Sequence, residues 1–226
     1  MNQELFTAVE HYINELFNTP EESQQHTLQA AQQAGLPTIQ ISPNQGKLLY
    51  LFALLSRART ILEIGTLAGY SAIWMARALP PDGTLITIDN NPHCIETARA
   101  AIAHAGVQDR VQLYLGDALE TLTRLRQQAH PPFDMVFMDS GDKSQYTEYL
   151  SQILPLTRPG SLIIADNAVL QGDILDPNPT NANTSGIQHF NAALAADPRL
   201  TATIVPMAGT KGYDGLAVAV VKGEEP

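Results

Sequence analysis

The sequence predicts an α/β fold: a mostly parallel sheet with helices on both faces, preceded by extra N-terminal helices. Three observations lead there. From residue 60 onward, short apolar runs alternate with helical patterns, the grammar of a parallel sheet. Before residue 58 the apolar spacing is helical. Polar and glycine residues gather just after the apolar runs, where open parallel sheets bind ligands.

In chain order, Leu5, Phe6, Val9, Ile13, Leu16 and Phe17 recur at helical spacing and predict an amphipathic first helix. Thr19-Pro20-Glu21-Glu22 reads as the start of a second, with Thr19 as cap, Glu22 closing a capping box and Gly35 as the stop. Ser42-Pro43-Asn44-Gln45 repeats that grammar and opens a third helix to about Ser56. Strands are then expected at 61–64, 85–88, 111–115, 135–138 and 162–165, with helices at 71–79, 92–105, 118–127 and 145–154 between them. A helix at about 186–195 follows. The runs 201–206 and 215–221, joined by a glycine-rich turn, are placed as an antiparallel pair at one edge of the sheet. The chain is read as a single domain over residues 1–226, with N-terminal helices to residue 57 and the sheet core from 58.

Composition narrows the function. Of the 226 residues 44% are hydrophobic and 16% charged, enough apolar surface for a core and too little charge for disorder. The net charge of −10 and the lack of a Lys/Arg run argue against a nucleic-acid partner. A lone cysteine, Cys94, allows no internal disulfide, and the opening MNQELFTAVEHY has no charged-then-apolar signal pattern. Apolar stretches such as LLYLFALL are too short to span a bilayer. A cytoplasmic protein is expected.

The strand ends carry the chemistry. Glu63-x-Gly65-x-x-x-Gly69 lies between a strand and a helix, where glycine lets a ligand approach the backbone and the helix N-terminus near Ser71 favours a carboxylate. Asp89, 26 residues beyond Glu63, ends the next strand and suits ribose hydroxyls. Asp117 suits an adenine amino group. The spacing matches neither the dinucleotide fingerprint nor the phosphate loop. A nucleoside with an amino-acid tail fits better, which describes S-adenosylmethionine. Asp139, Asp166 and Asn167 end two further strands and offer only oxygen, the donor set of Mg²⁺, Mn²⁺ or Ca²⁺. A phenol has a pKa of about 10, and a dication at its oxygen favours the anion. Lys143 is the candidate general base. The six histidines are scattered without metal-ligand spacing. Trp74 is assigned to the core, and Cys94 lacks the partner base a nucleophile needs.

LEIGTLAGYSAIWMARALPPDGTLITID resembles the cofactor half of the cation-dependent class I O-methyltransferases, the group of catechol and caffeoyl-CoA methyltransferases. FDMVFMDSGDKSQYTEYL resembles their metal-and-lysine segment, LIIADNAVLQGDILDP their second metal segment, and HFNAALAADPRLTATIVPMAGTKGYDGLAVAVV the C-terminal part of bacterial members. The resemblance runs from about Ile41 to Val221. It implies a Rossmann-like seven-stranded sheet with an antiparallel edge strand, S-adenosylmethionine, and a dication, Mg²⁺ first, held by Asp139, Asp166 and Asn167. Cofactor contacts would fall on Glu63, Gly65, Thr66, Ser71, Asp89, Ala118 and Asp139, and on the backbone near Ile41. Asp139 and Lys143 would serve catalysis on a small hydroxylated aromatic acceptor, catechol-like or phenylpropanoid, in a homodimer.

Two departures stand out. The family has Asp-x-x-Lys where this chain has Asp139-Ser140-Gly141-Asp142-Lys143, one residue longer, which leaves the placement of Lys143 and the role of Asp142 open. Leu170-Gln171 stands where relatives often carry a Trp at the substrate mouth. A tRNA methyltransferase of the same fold and a non-catalytic cofactor-binding protein are the competing readings. A nicotinamide dehydrogenase is remote, because the loop does not fit a pyrophosphate.

Overall fold

The computed structural model describes residues 2–18 and 21–223. Contacts gather into two compact units, one of residues 13–121, the other formed by the segment to Tyr12 and the segment from Leu122.

Helix α1 (Gln3–Phe17) opens the chain as expected, but its apolar stripe is not covered: Leu5, Val9, Leu16 and Phe17 are exposed, and the buried residue of this helix is Glu10. Thr19 and Pro20 lie outside the described residues. The second helix, α2 (Glu22–Gln33), has Glu21 at its cap, and the Glu21 N–H donates to the Gln24 side chain at 3.3 Å. The box is therefore Glu21–Gln24, where Thr19–Glu22 was expected. Gly35 at φ +66 ends α2. Helix α3 (Pro43–Leu55) starts as read, with reciprocal Ser42–Gln45 bonds of 2.9 and 3.3 Å.

In the 13–121 unit, β1 (Thr60–Ile64), β2 (Thr84–Asp89) and β3 (Val111–Leu115) pair in parallel in the order β3-β2-β1. Helices α4 (Tyr70–Ala78) and α5 (Pro92–His104) form the crossovers. Seven consecutive residues of α4, Tyr70–Ala76, are buried, so that helix is covered all round. Trp74 is a core residue. A Cβ at Gly46 would lie 2.3 Å from its indole, so α3 reaches α4 only because residue 46 has no side chain.

Helix α6 (Ala118–Gln127) leads to the other unit, which contains β4 (Phe133–Met138), α7 (Tyr146–Ile153), β5 (Thr157–Ala165), α8 (Ala182–Ala196), β6 (Leu200–Gly209) and β7 (Gly212–Val221). The strand order here is β4-β5-β7-β6, seven strands in all with the first unit's three. β4 and β5 are parallel; β7 runs against both β5 and β6. The last two strands form the edge pair that the sequence predicts. Within it the reversed strand β7 lies inside and β6 outermost, because Leu216, Ala217 and Ala219 of β7 are buried whereas most of β6 is exposed. Helix α8 starts at Ala182 rather than residue 186, because Asn181 caps it by accepting the Asn183 N–H at 2.9 Å. Among the described residues no helix is long and apolar enough to cross a membrane.

Candidate active site

The glycine loop after β1 turns through left-handed backbone at Gly65 (φ +100), Leu67 (φ +47) and Gly69 (φ +82), the last at the N-terminus of α4. Glu63 is fully buried beneath it. Its Oε1 accepts from the Ser71 hydroxyl at 2.5 Å and its Oε2 from the Thr87 hydroxyl at 2.6 Å. Each hydroxyl has one proton, so Thr87, spending its own on Glu63, must accept from Thr66 across their 2.6 Å contact. One chain of hydrogen bonds thus ties the loop (Thr66), the strand β2 (Thr87) and the helix start (Ser71) to one carboxylate. Glu63 and Ser71, expected as cofactor contacts, are bonded to each other here.

Asp89 is also used by the chain. Its Oδ2 accepts the Thr66 and Leu67 N–H groups at 3.1 and 3.0 Å, and its Oδ1 accepts the Asn91 N–H at 2.9 Å. A carboxylate has about four acceptor positions, so about one is left for a ribose hydroxyl. Asp117 is exposed and caps α6 by accepting the Glu120 N–H at 3.0 Å. Ala118 and Ile41 are buried apolar residues. Cys94 is buried and its thiol pKa is pushed up to about 11, first by burial and then by Asp89, so it stays a thiol.

In the other unit, Asp139 follows β4 and Asp166-Asn167 follow β5. The Asp166 N–H donates to the Met138 carbonyl at 2.9 Å, joining the two strand ends. Asn167 adopts left-handed backbone (φ +60), and its Nδ2 donates to Asp214 Oδ2 at 2.9 Å. That bond uses one of the amide's two N–H donors and leaves its oxygen as a candidate ligand atom. Asp214 is fixed in turn: its Oδ1 accepts N–H groups from Val169, Leu170 and Gly215. Burial raises the pKa of Asp139, opposed by Lys143 and Lys211. Burial, then Asp139, raises that of Asp166 to about 7.

Lys143 is buried despite the longer loop. Its Nζ donates to Asp139 Oδ1 at 3.1 Å and to the Tyr146 hydroxyl at 2.9 Å, and its backbone N–H donates to Asn183 at 2.9 Å. Asp142 is an exposed loop cap that accepts from the Ser144 N–H and hydroxyl. The extra residue is taken up by this cap, so Lys143 still turns toward Asp139. Glycine at 186 lets α8 pass the lysine turn, since a Cβ there would lie 2.5 Å from the Lys143 carbonyl.

Among the described residues no three His, Cys, Asp or Glu gather to hold a metal. The candidate set reaches three ligands only with the amide oxygen of Asn167. It still fits a hard cation, because the buried Asp166 and half-buried Asp139, which feel each other's charge, come with an amide whose nitrogen Asp214 engages. Asp139, Lys143, Asp166 and Asn167 are thus brought together in one unit, and Glu63, Gly65, Thr66, Ser71 and Asp89 in the other. Asp214, Tyr146 and Thr87 were not foreseen. Asp214-Gly215 after a hairpin has the residue types of a turn anchor, while Tyr146 and Thr87 carry no sequence signal.

The seven-stranded sheet with its reversed strand is a Rossmann-like fold, and the comparisons identify its class as an O-methyltransferase. A family model described as O-methyltransferase matches residues 17–219. A catechol O-methyltransferase of Niastella koreensis is 46% identical, covering 98% of this chain and all of that protein. Two solved structures agree in fold. The O-methyltransferase TomG of Streptomyces achromogenes, involved in tomaymycin synthesis and in complex with S-adenosylmethionine, has a TM-score of 0.94 at 43% identity, covering 99% of this chain and 100% of that one. An O-methyltransferase of Bacillus cereus in complex with S-adenosylhomocysteine has a TM-score of 0.94 at 39% identity, covering 97% and 99%. The chain belongs to this S-adenosylmethionine-dependent O-methyltransferase family.

Proposed function

We propose that the chain moves the methyl group of S-adenosylmethionine to a hydroxyl of a small catechol-like or phenylpropanoid acceptor, with Mg²⁺, ahead of Mn²⁺ or Ca²⁺, on Asp139, Asp166 and Asn167. The observation that carries this reading is the pair of carboxylates at the ends of β4 and β5, Asp166 buried and Asp139 half-buried, with burial and then Asp139 raising the pKa of Asp166. The name of the Niastella koreensis relative supports the acceptor class.

A dication held by Asp139, Asp166 and Asn167 would supply Lewis-acid activation of the acceptor hydroxyl. Lys143, anchored on Asp139 and Tyr146, takes the hydroxyl proton when it is in its amine form. Asp214, by accepting from the Asn167 nitrogen, leaves the amide oxygen as the atom that would face such a cation. In the other unit, the loop of Gly65 and Thr66 and the start of α4 at Ser71 receive the methionine tail. The free acceptor position of Asp89 takes a ribose hydroxyl, Ile41 and Ala118 give apolar walls, and Asp117 receives the adenine amino group. The same reading makes the chain a cytoplasmic homodimer, joined through the apolar residues that α1 leaves exposed.

Methyl transfer from labelled S-adenosylmethionine to catechol and caffeic acid, with Mg²⁺ and with EDTA, tests this. Transfer that EDTA abolishes is expected. Cofactor binding without transfer to any catechol under any dication would overturn the acceptor assignment; labelled tRNA would then identify the competing enzyme.

A further inference from the structure

Lys211 sits at the two-residue turn of the β6–β7 hairpin and has no part in the chemistry above. The turn is clamped from two sides. From α1, Gln3 Nε2 donates to the Gly209 and Thr210 carbonyls at 2.8 and 3.3 Å, and Glu10 accepts the Thr210 N–H at 2.5 Å. From the 170–175 turn, Gln171 Nε2 donates to the Lys211 carbonyl at 2.9 Å while its Oε1 accepts the Tyr213 N–H at 3.3 Å. Both clamps need glycine opposite them: a Cβ at Gly209 would lie 2.5 Å from Glu10 Oε2, and one at Gly212 would lie 2.5 Å from Gln171 Oε1. Burying a carboxylate on an otherwise exposed helix is costly unless it is well bonded. Here Glu10 spends that cost on holding one backbone N–H next to Lys211.

The lysine held in this way is a cation without a close partner. Partial burial of the ammonium lowers its pKa, and Asp139, then Asp166, then Glu10 oppose that. Yet among the described residues it closes no hydrogen bond and no ion pair within 4.0 Å, and the residue is exposed. The nearby acids are already engaged: Asp139 by Lys143, Asp214 by Asn167 and three N–H groups, Glu10 by Thr210. A lysine without an ion-pair partner, on a turn whose backbone two clamps fix and within reach of the charges of Asp139 and Asp166, is suited to an anionic group on whatever those carboxylates bring in.

We propose that Lys211 is a specificity-determining residue of the acceptor site: it binds a carboxylate carried by the acceptor, selecting hydroxylated aromatic acids over neutral catechols, and Glu10 and Gln171 position it. This rests on the reading that the acceptor oxygen comes to Asp139 and Asp166. Equilibrium binding of 3,4-dihydroxybenzoate and of catechol is measured by calorimetry on the full chain with S-adenosylhomocysteine and Mg²⁺. The native chain is expected to prefer the acid by roughly tenfold, the factor of one charge-assisted contact. Lys211→Met should abolish that preference and Lys211→Arg keep most of it, with Lys211→Gln in reserve should the Met variant lose its fold. Glu10→Gln should reduce the preference partway, since Gln3 and Gln171 still hold the tip. A native chain with no preference for the acid, or a Lys211→Met chain that keeps it, overturns the proposal. If the native chain binds neither compound, the proposal falls and the acceptor reading falls with it, whereas binding and methylation of both without preference sinks the role of Lys211 alone.

Discussion

Glu63 and Asp89 in the 13–121 unit are carboxylates whose acceptor positions the chain fills largely by itself: two hydroxyls on Glu63, three backbone N–H groups on Asp89. Asp139, half-buried, and Asp166, buried, in the other unit are acids whose pKa values are raised by loss of solvent, with Asp139 adding to the rise at Asp166. The difference teaches what each set is for. An acid satisfied by its own backbone fixes a loop in shape before a ligand arrives. Acids of like charge close together in a poorly solvated place raise each other's pKa, a cost that Lys143 offsets in part and that a bound cation would offset further.

The largest effects should separate the two units cleanly. Asp166→Asn is expected to lower methyl transfer by at least about 100-fold while S-adenosylhomocysteine affinity stays near native. Mg²⁺ should raise the Tm of the native chain and not that of Asp166→Asn, read by calorimetric scanning. An equal loss of cofactor binding in this variant would break the division. The reciprocal variant is Gly69→Val. Position 69 has φ +82, and its Cβ would lie 3.3 Å from Ala98 Cβ, so a branched side chain should abolish cofactor binding and leave Mg²⁺ binding in place.

Smaller changes sharpen the contrast. Glu63→Gln puts an amide where two hydroxyls need acceptors, and should cost about 1–3 kcal/mol of stability along with cofactor affinity. Gly186→Ala pushes α8 against the Lys143 turn; a cost of about 1–3 kcal/mol and a fall in kcat at unchanged cofactor affinity are expected, checked by urea unfolding and steady-state kinetics. The least change in turnover should come from Leu5→Glu with Val9→Glu on α1, which should move the chain from dimer to monomer in sedimentation.

Much of the fold is legible in the residues because it rests on local rules. The Ser42–Gln45 box, the stop at Gly35 and the alternation of buried strands with crossover helices are written within a few residues of where they act. The cap of α2 is one such feature that differs from the sequence reading, since Glu21 stands at the cap position. The candidate metal set was legible for the same reason: strand ends announce themselves. The work of Asp117 was less so, because whether an acid caps its own helix or meets a ligand depends on its rotamer.

By itself the sequence determined the α/β class, the strand-end placement of Glu63, Asp89, Asp139, Asp166 and Asn167, and the family to which they belong. Only the tertiary structure decided that Lys143 turns back onto Asp139 across a lengthened loop, that Asp214 orients Asn167 from 47 residues away, and that Glu10 on α1 grips Thr210 at a separation of 200. The physical reason is range. Caps and strand periodicity arise from neighbours along the chain, whereas charges meet through space, and their partners are set by packing that no short stretch of sequence contains.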